Sequence, residues 1–198
     1  MTELLTRTLN WIGIAATPTL VEQLGDYQAW LAAEATRAGG IGPGERDRLE
    51  ERHVADSLLF AGVWDQSSSA PVIDVGSGVG LPGIPLAIVT PHREFLLVDR
   101  SGRRVELLRR AIRVLSLGNV GVIHADIETV DWSKATVVSR ASLPPAALLG
   151  LIGEVGAPHE LLVAGSRIER PVVPGFETVE IPSEILDRPV WILRMAQT

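Results

Sequence analysis

The chain contains no cysteine. That excludes disulfides and thiolate metal sites. It has one lysine, Lys134, so nearly all positive charge is carried by arginine. No apolar run approaches the roughly 20 residues needed to cross a bilayer. The N-terminal stretch MTELLTRTLNWIGIAA has an early acidic residue and a weak apolar run, unlike a signal peptide. The net charge of −6 and pI of about 5.2 argue against non-specific nucleic-acid binding by bulk charge. His92, His124 and His159 show no metal-ligand spacing. These absences predict a cytoplasmic protein with no membrane segment and no metal.

What is present suits one compact unit. The 198 residues, 46% of them hydrophobic, can bury a full core without staples. Residues 1–66 read as a helical extension and residues 67–198 as an α/β core, with a monomer favoured. Thr17-Pro18 is a good helix start, followed by Leu20, Leu24, Tyr27 and Leu31 at helical spacing and closed by Gly39-Gly40. A second helical stretch restarts after Pro43, with Leu49, Val54, Leu58 and Leu59 on one side. Beyond the polar DQSSSA, short apolar runs alternate with helical segments: PVIDV, FLLVD, VGVIHA, TVVSR and ELLVAG. This is the signature of βαβ units and a mostly parallel sheet. FETVEIP and RPVWILRM then follow with no helix expected between them, as an antiparallel edge pair. By analogy, that plan is the Rossmann-like class I fold of S-adenosylmethionine (SAM) methyltransferases. The five tryptophans are scattered and read mostly as packing residues.

The chemistry centres on PVIDVGSGVGLPGIPLAIV, residues 71–89. Asp74 ends the first strand, and Gly76, Gly78 and Gly80 follow in D-x-G-x-G-x-G. Glycines there let a ligand touch bare backbone, and the helix start offers amides from Gly80 through Leu81 to Ile84. Gly78, Gly80 and Gly83 also spell the dinucleotide fingerprint, a weak match alone. An acid at Asp74 would repel a pyrophosphate and accept from an ammonium, which favours SAM. Asp99, 19 residues past Gly80, is placed to bind ribose hydroxyls. In HADIE, the Ile127 N–H is placed to read an adenine ring nitrogen, with Asp126 or Glu128 on the exocyclic amine. The expected cofactor residues are therefore Asp74, Gly76, Ser77, Gly78, Gly80, Leu81, Asp99, Arg100, Asp126, Ile127, Glu128 and Arg140.

RHVADSL, DVGSGVGLPGIPLAIVTP, LVDRSGRRVELLR, LGNV and SRA together resemble the bacterial 16S ribosomal RNA guanine-N7 methyltransferases. That family is also called small-subunit methyltransferase G, or glucose-inhibited division protein B. GGIGPGE extends the resemblance toward the N-terminus. The resemblance implies SAM-dependent methylation of N7 of one guanine in 16S rRNA, as free RNA or in the 30S subunit. Carried over by position, Gly76, Ser77, Gly78 and Asp99 hold SAM. Arg103, Arg104 and Arg140 are the basic, catalytic residues of the cleft, and His53 and Asp56 match an R-H-x-x-D-S motif. The chain departs from the pattern at three places. Asp126 stands where a basic residue is common, AGSR replaces a lysine-glycine after the fifth strand, and a W-N-x-x-N-L-T segment is missing.

From Arg100 to Arg113 six arginines face one glutamate, a local charge of +5 on an acidic chain. Arg103 and Arg104 fall at a helix start, where positive charge opposes the helix dipole. That local cost points to a functional role. Arg140, after the fourth strand, is placed at the same end of the sheet. Guanine N7 carries a lone pair and no proton, so alignment is needed and a general base is not. The same residues also fit a methyltransferase for a small-molecule or protein acceptor, or a non-catalytic SAM-binding paralogue. A dinucleotide oxidoreductase is a more distant reading.

Overall fold

The computed structural model describes residues 2–140, 142–165 and 168–196. Ala141, which ends the SRA motif, and Ser166 and Arg167 of AGSR lie outside the described residues. Among those described, seven strands form one sheet: β1 (Val72–Val75), β2 (Phe95–Asp99), β3 (Val120–His124), β4 (Thr136–Ser139), β5 (Glu160–Ala164), β6 (Glu177–Ile181) and β7 (Val190–Ala196). Their spatial order is β3-β2-β1-β4-β5-β7-β6. β7 pairs antiparallel with β5 and β6, and all other pairings are parallel. This is the expected α/β class with a late antiparallel strand, and no described helix is long and apolar enough to cross a membrane.

Burial explains the sequence pattern of the strands. VIDV of β1 and TVVS of β4 are buried at every position, because helices cover both faces of the sheet centre. The edge strand β3 is only half covered. One side of the core gathers Leu9, Leu24, Tyr27, Phe60 and Leu86, and the other gathers Trp132, Leu148 and Leu161. The helices are α1 (Glu3–Trp11), α2 (Pro18–Trp30), α3 (Asp56–Leu58), α4 (Gly83–Val89), α5 (Gly102–Val114), α6 (Pro145–Val155) and α7 (Ser183–Leu186). Thr17 caps α2 by accepting from the Leu20 N–H, as its position before Pro18 predicts.

Two elements differ from the sequence reading. The stretch after Pro43 is not one amphipathic helix. It is a 3₁₀ turn (Pro43–Arg48), a π turn (Glu50–Ala55), α3 and a second 3₁₀ turn (Leu59–Gly62). Every residue from Val54 to Ala61 is buried. A regular surface helix would expose some of that run. Changes of turn width instead pack it on all sides, against α1, α2 and α4. The other difference is α7, a one-turn helix where the β6–β7 connection was expected to have none. Pro182 cannot extend the strand ladder, and Asp187 closes the turn in the left-handed region at φ 55°.

The start of α4 lies directly on the strands. A Cβ at Gly83 would overlap the Leu97 side chain and stand 2.7 Å from Asp74 Oδ2. Glycine at this point permits the close helix–strand approach. Gly83→Ala is expected to destabilise the protein by about 2 kcal/mol through overpacking. A lowered urea midpoint at unchanged m-value would register it; an unchanged midpoint would mean that α4 can slide away freely.

Candidate active site

The carboxyl ends of β1, β2, β3 and β4 meet at one edge, where open α/β sheets bind ligands. The glycine loop leaves β1 and is pinned at once to β2: Gly76 N–H and Ser77 N–H donate to Val98 O at 2.9 and 3.0 Å. Gly76 adopts φ +74°, and a Cβ there would overlap the Cβ of Ser142. Bare backbone at Gly76 therefore lets the loop after β4 close against the loop after β1.

The amides from Gly80 onward are already engaged. Gly80 and Leu81 donate to Ser77 O, and Ile84 donates to Gly80 O. Gly83 donates to Asp74 Oδ2 at 2.9 Å, and Pro82 has no N–H. The sequence reading offered these amides to a ligand; the structure uses them to close the loop on itself. A pyrophosphate would find no donors there. Asp74 is fully buried beneath the loop and does not line the cleft. Its Oδ1 is buried without a hydrogen-bond partner. Burial pushes its carboxyl up to about 7, outweighing the Gly83 amide and the nearby Arg140 charge, which pull it down.

Asp99 is nearly as buried, but both of its oxygens are paired. Its Oδ2 accepts from Gly78 N–H at 2.9 Å and its Oδ1 from Ser101 N–H at 2.8 Å. Two backbone donors fix the carboxylate where β2 ends. It lines an open cleft of about 230 Å³ together with Gly76, Arg100, Arg104, Asp126, Ile127, Glu128, Ser142 and Leu143. That volume lies just below the roughly 300–1,000 Å³ of drug-sized ligand pockets, as suits a cleft that is open on one side. His124 Nε2 sits 3.1 Å from Arg100 O and so steadies the backbone beside Asp99.

The arginines separate into four groups. Arg100 and Arg104 line the cleft, and Arg104 Nη1 lies 3.7 Å from Asp99 Oδ2. Arg103 lines a neighbouring groove with Gly39, Gly40 and Val79, and Arg104 borders both. Arg109 and Arg110 pair with Glu106 and Glu34 at 2.6 and 3.1 Å. Arg140, expected in the cleft, is not among its lining residues. It donates to Arg52 O at 3.2 Å, meets His53 Nδ1 at 3.3 Å and approaches Asp56 Oδ2 at 3.7 Å. Asp56 also receives Arg188 at 3.2 Å. The R-H-x-x-D-S stretch therefore meets Arg140 through one backbone carbonyl and two side chains, 84 to 88 positions away in sequence.

Of the expected cofactor residues, the structure brings Gly76, Asp99, Arg100, Asp126, Ile127 and Glu128 to the cleft wall. Ser77, Gly78, Gly80 and Leu81 shape the loop behind that wall. Sequence reasoning missed Ser142 and Leu143. Ser142 Oγ bonds Ser139 Oγ at 2.5 Å, which holds the loop over Gly76. Their signal was positional: they follow β4 at its carboxyl end, just ahead of Pro144-Pro145.

The folded pKa of Asp74 lies above its ordinary value, so the folded state retains a proton that the unfolded state loses between pH 3.8 and about 7. Stability from that proton is complete below the unfolded pKa and lost as pH rises through the folded one. Asp74→Asn keeps an acceptor for Gly83 N–H and cannot titrate. Its urea midpoint is expected to fall less than that of the wild type between pH 5 and pH 8. Parallel pH profiles for the two proteins would show that Asp74 carries no such proton.

Residues 20–150 match the GidB family, rRNA small subunit methyltransferase G. A ribosomal RNA small subunit methyltransferase G from Acidothermus cellulolyticus is 38% identical over 144 residues, covering 72% of this chain and 64% of that one. The Kineococcus radiotolerans protein of the same name is 42% identical over 63% of this chain and 49% of its own. The chain thus spans about half to two thirds of the length of these relatives. The Roseiflexus castenholzii protein is 31% identical, covering 100% of this chain and 93% of that one. Two solved structures share the fold. One is a SAM-dependent methyltransferase from Aquifex aeolicus, with TM-score 0.58 and 15% identity over 83% of this chain and 99% of that one. The other is magnesium protoporphyrin IX methyltransferase from Synechocystis, with TM-score 0.58 and 16% identity over 89% and 97%. The matched segment contains the glycine loop, Asp99, Arg104 and every other residue of the cleft wall, and on that basis the chain belongs to the GidB family of rRNA small subunit methyltransferases.

Proposed function

We propose that the chain transfers a methyl group from SAM to N7 of a guanine in 16S ribosomal RNA, within the 30S particle or its free RNA. The observation that carries this reading is a backbone-held carboxylate, Asp99, lining an open cleft inside the family-matched segment. SAM, when bound, supplies an electrophilic methyl on a sulfonium centre.

The chain's own residues fit such a ligand. Asp99 keeps lone pairs for two ribose hydroxyls while its backbone donors hold it still. Ile127 N–H meets an adenine ring nitrogen, and Asp126 or Glu128 accepts from the exocyclic amine. Gly76 presents bare backbone to the amino-acid end. Three acids, Asp99, Asp126 and Glu128, outnumber Arg100 and Arg104 on the wall, which suits a cationic cofactor. The engaged amides at the start of α4 disfavour a dinucleotide.

Guanine N7 presents a lone pair, so no residue has to remove a proton before attack. Catalysis then rests on alignment. Arg100 and Arg104 at the rim, with Arg103 in the adjoining groove, attract the phosphates around the target base. Arg140 acts from outside the cleft wall, holding residues 52–56 against the end of β4.

The test is transfer of labelled methyl from SAM to 30S particles from cells lacking this modification. Label in 7-methylguanosine of 16S rRNA is the expected result. Label on another acceptor alone, or SAM binding without transfer, would overturn the substrate assignment. Asp99→Ala is expected to weaken SAM binding by roughly 1–3 kcal/mol by removing hydrogen bonds from a charged acceptor. Unchanged calorimetric affinity would remove Asp99 from the site.

A further inference from the structure

We propose that Tyr27 is a positioning residue for the cofactor site, acting through the carbonyl of Val79 in the glycine loop. The inference rests on the SAM reading above and adds a residue outside the loop–strand machinery. Tyr27 lies on α2, fully buried, and stacks on Trp30 with ring centroids 6.1 Å apart. Its hydroxyl donates to Val79 O at 3.0 Å, across 52 positions of sequence. Burial pushes the phenol well above its usual range, which keeps the hydroxyl a donor at all working pH values.

Val79 needs that donor. The amide four residues on, Gly83 N–H, would ordinarily serve a carbonyl at the start of a helix. Here it is held by Asp74 Oδ2. The Tyr27 hydroxyl takes its place. Val79 is also pressed from the other side: a Cβ at Gly40 would overlap Val79 Cγ1. The α2 segment and its Gly39-Gly40 end thus clasp one loop residue at its carbonyl and its side chain.

The clasped residue sits beside the contact that orients the cleft carboxylate. Gly78 N–H, one residue earlier, donates to Asp99 Oδ2. Gly80, one residue later, turns the chain at φ +96° and donates to Ser77 O at 2.8 Å. Releasing the Val79 carbonyl leaves a buried acceptor unpaired, and the loop must shift to find water. The shift is transmitted through Gly78 to Asp99, and so to the ribose end of the site.

Tyr27→Phe keeps the ring and its stacking and removes only the hydroxyl. Calorimetry with SAM on the full chain is expected to show roughly three- to tenfold weaker binding. KM for SAM should rise in parallel, with kcat at saturating SAM and KM for 30S particles unchanged. Gly40→Ala, at a glycine without positive φ, pushes Val79 from the opposite side and should raise the SAM dissociation constant as well. Leu5→Ala in α1 should lower Tm without altering SAM affinity. A Tyr27→Phe protein with reduced Tm and wild-type SAM affinity would overturn the inference, reducing Tyr27 to a core residue. A wild-type chain that fails to bind SAM would instead overturn the proposed function, and this inference with it.

Discussion

The hydrogen bond from Gly83 N–H to Asp74 Oδ2 sets the geometry on which the site depends. It places a carboxyl from the end of β1 at the first turn of α4, where a helix start attracts an acceptor. The helix cannot then present that turn to a ligand. The loop before it closes on Ser77 O and exposes its other edge, from Gly76 to Gly78, toward β2. The same glycine spacing that elsewhere cradles a pyrophosphate here builds a cleft governed by carboxylates. Gly83 is the residue that lets the bond form, because any side chain there would meet Leu97 and Asp74 itself.

Two aspartates at the ends of adjacent strands consequently carry different tasks. Asp74 lies beneath the loop in a dry environment and leans toward the protonated form. Asp99 sits one strand over, held by two backbone amides and bordering the cleft wall although it too is buried. Sequence position alone makes them equivalent, since each ends a strand. What separates them is which carboxyl the loop covers and which it borders.

The sheet was legible because its strands are short apolar runs bounded by turn residues, and their burial on both faces reproduces that pattern. Asp99 and HADIE were legible for the same reason, lying at the carboxyl ends of those runs. The contents of residues 43–62 were not. An eight-residue buried run has no helical or strand periodicity to read. Arg140 shows another limit. Its place after β4 was clear, but its direction is set by His53 and Asp56, which reach it from far away in the chain. Tyr27 reads correctly as a core position of α2, and nothing in its spacing discloses the Val79 carbonyl above it. Ser142 and Leu143 carry no motif and enter the site only because Gly76 leaves them room.

The convergence of Arg140 and Arg188 on Asp56 has a consequence in ionic strength. Asp56 is almost wholly enclosed, so dissolved ions screen its two guanidinium partners weakly. Arg104 and the paired Arg109 and Arg110 stand about half exposed, within reach of counterions. Added electrolyte therefore acts unevenly across the molecule. It weakens the ion pairs of the rim well before it loosens the knot that ties the chain's early helices to the ends of β4 and α7. The charge of the rim can be masked without disturbing the fold behind it.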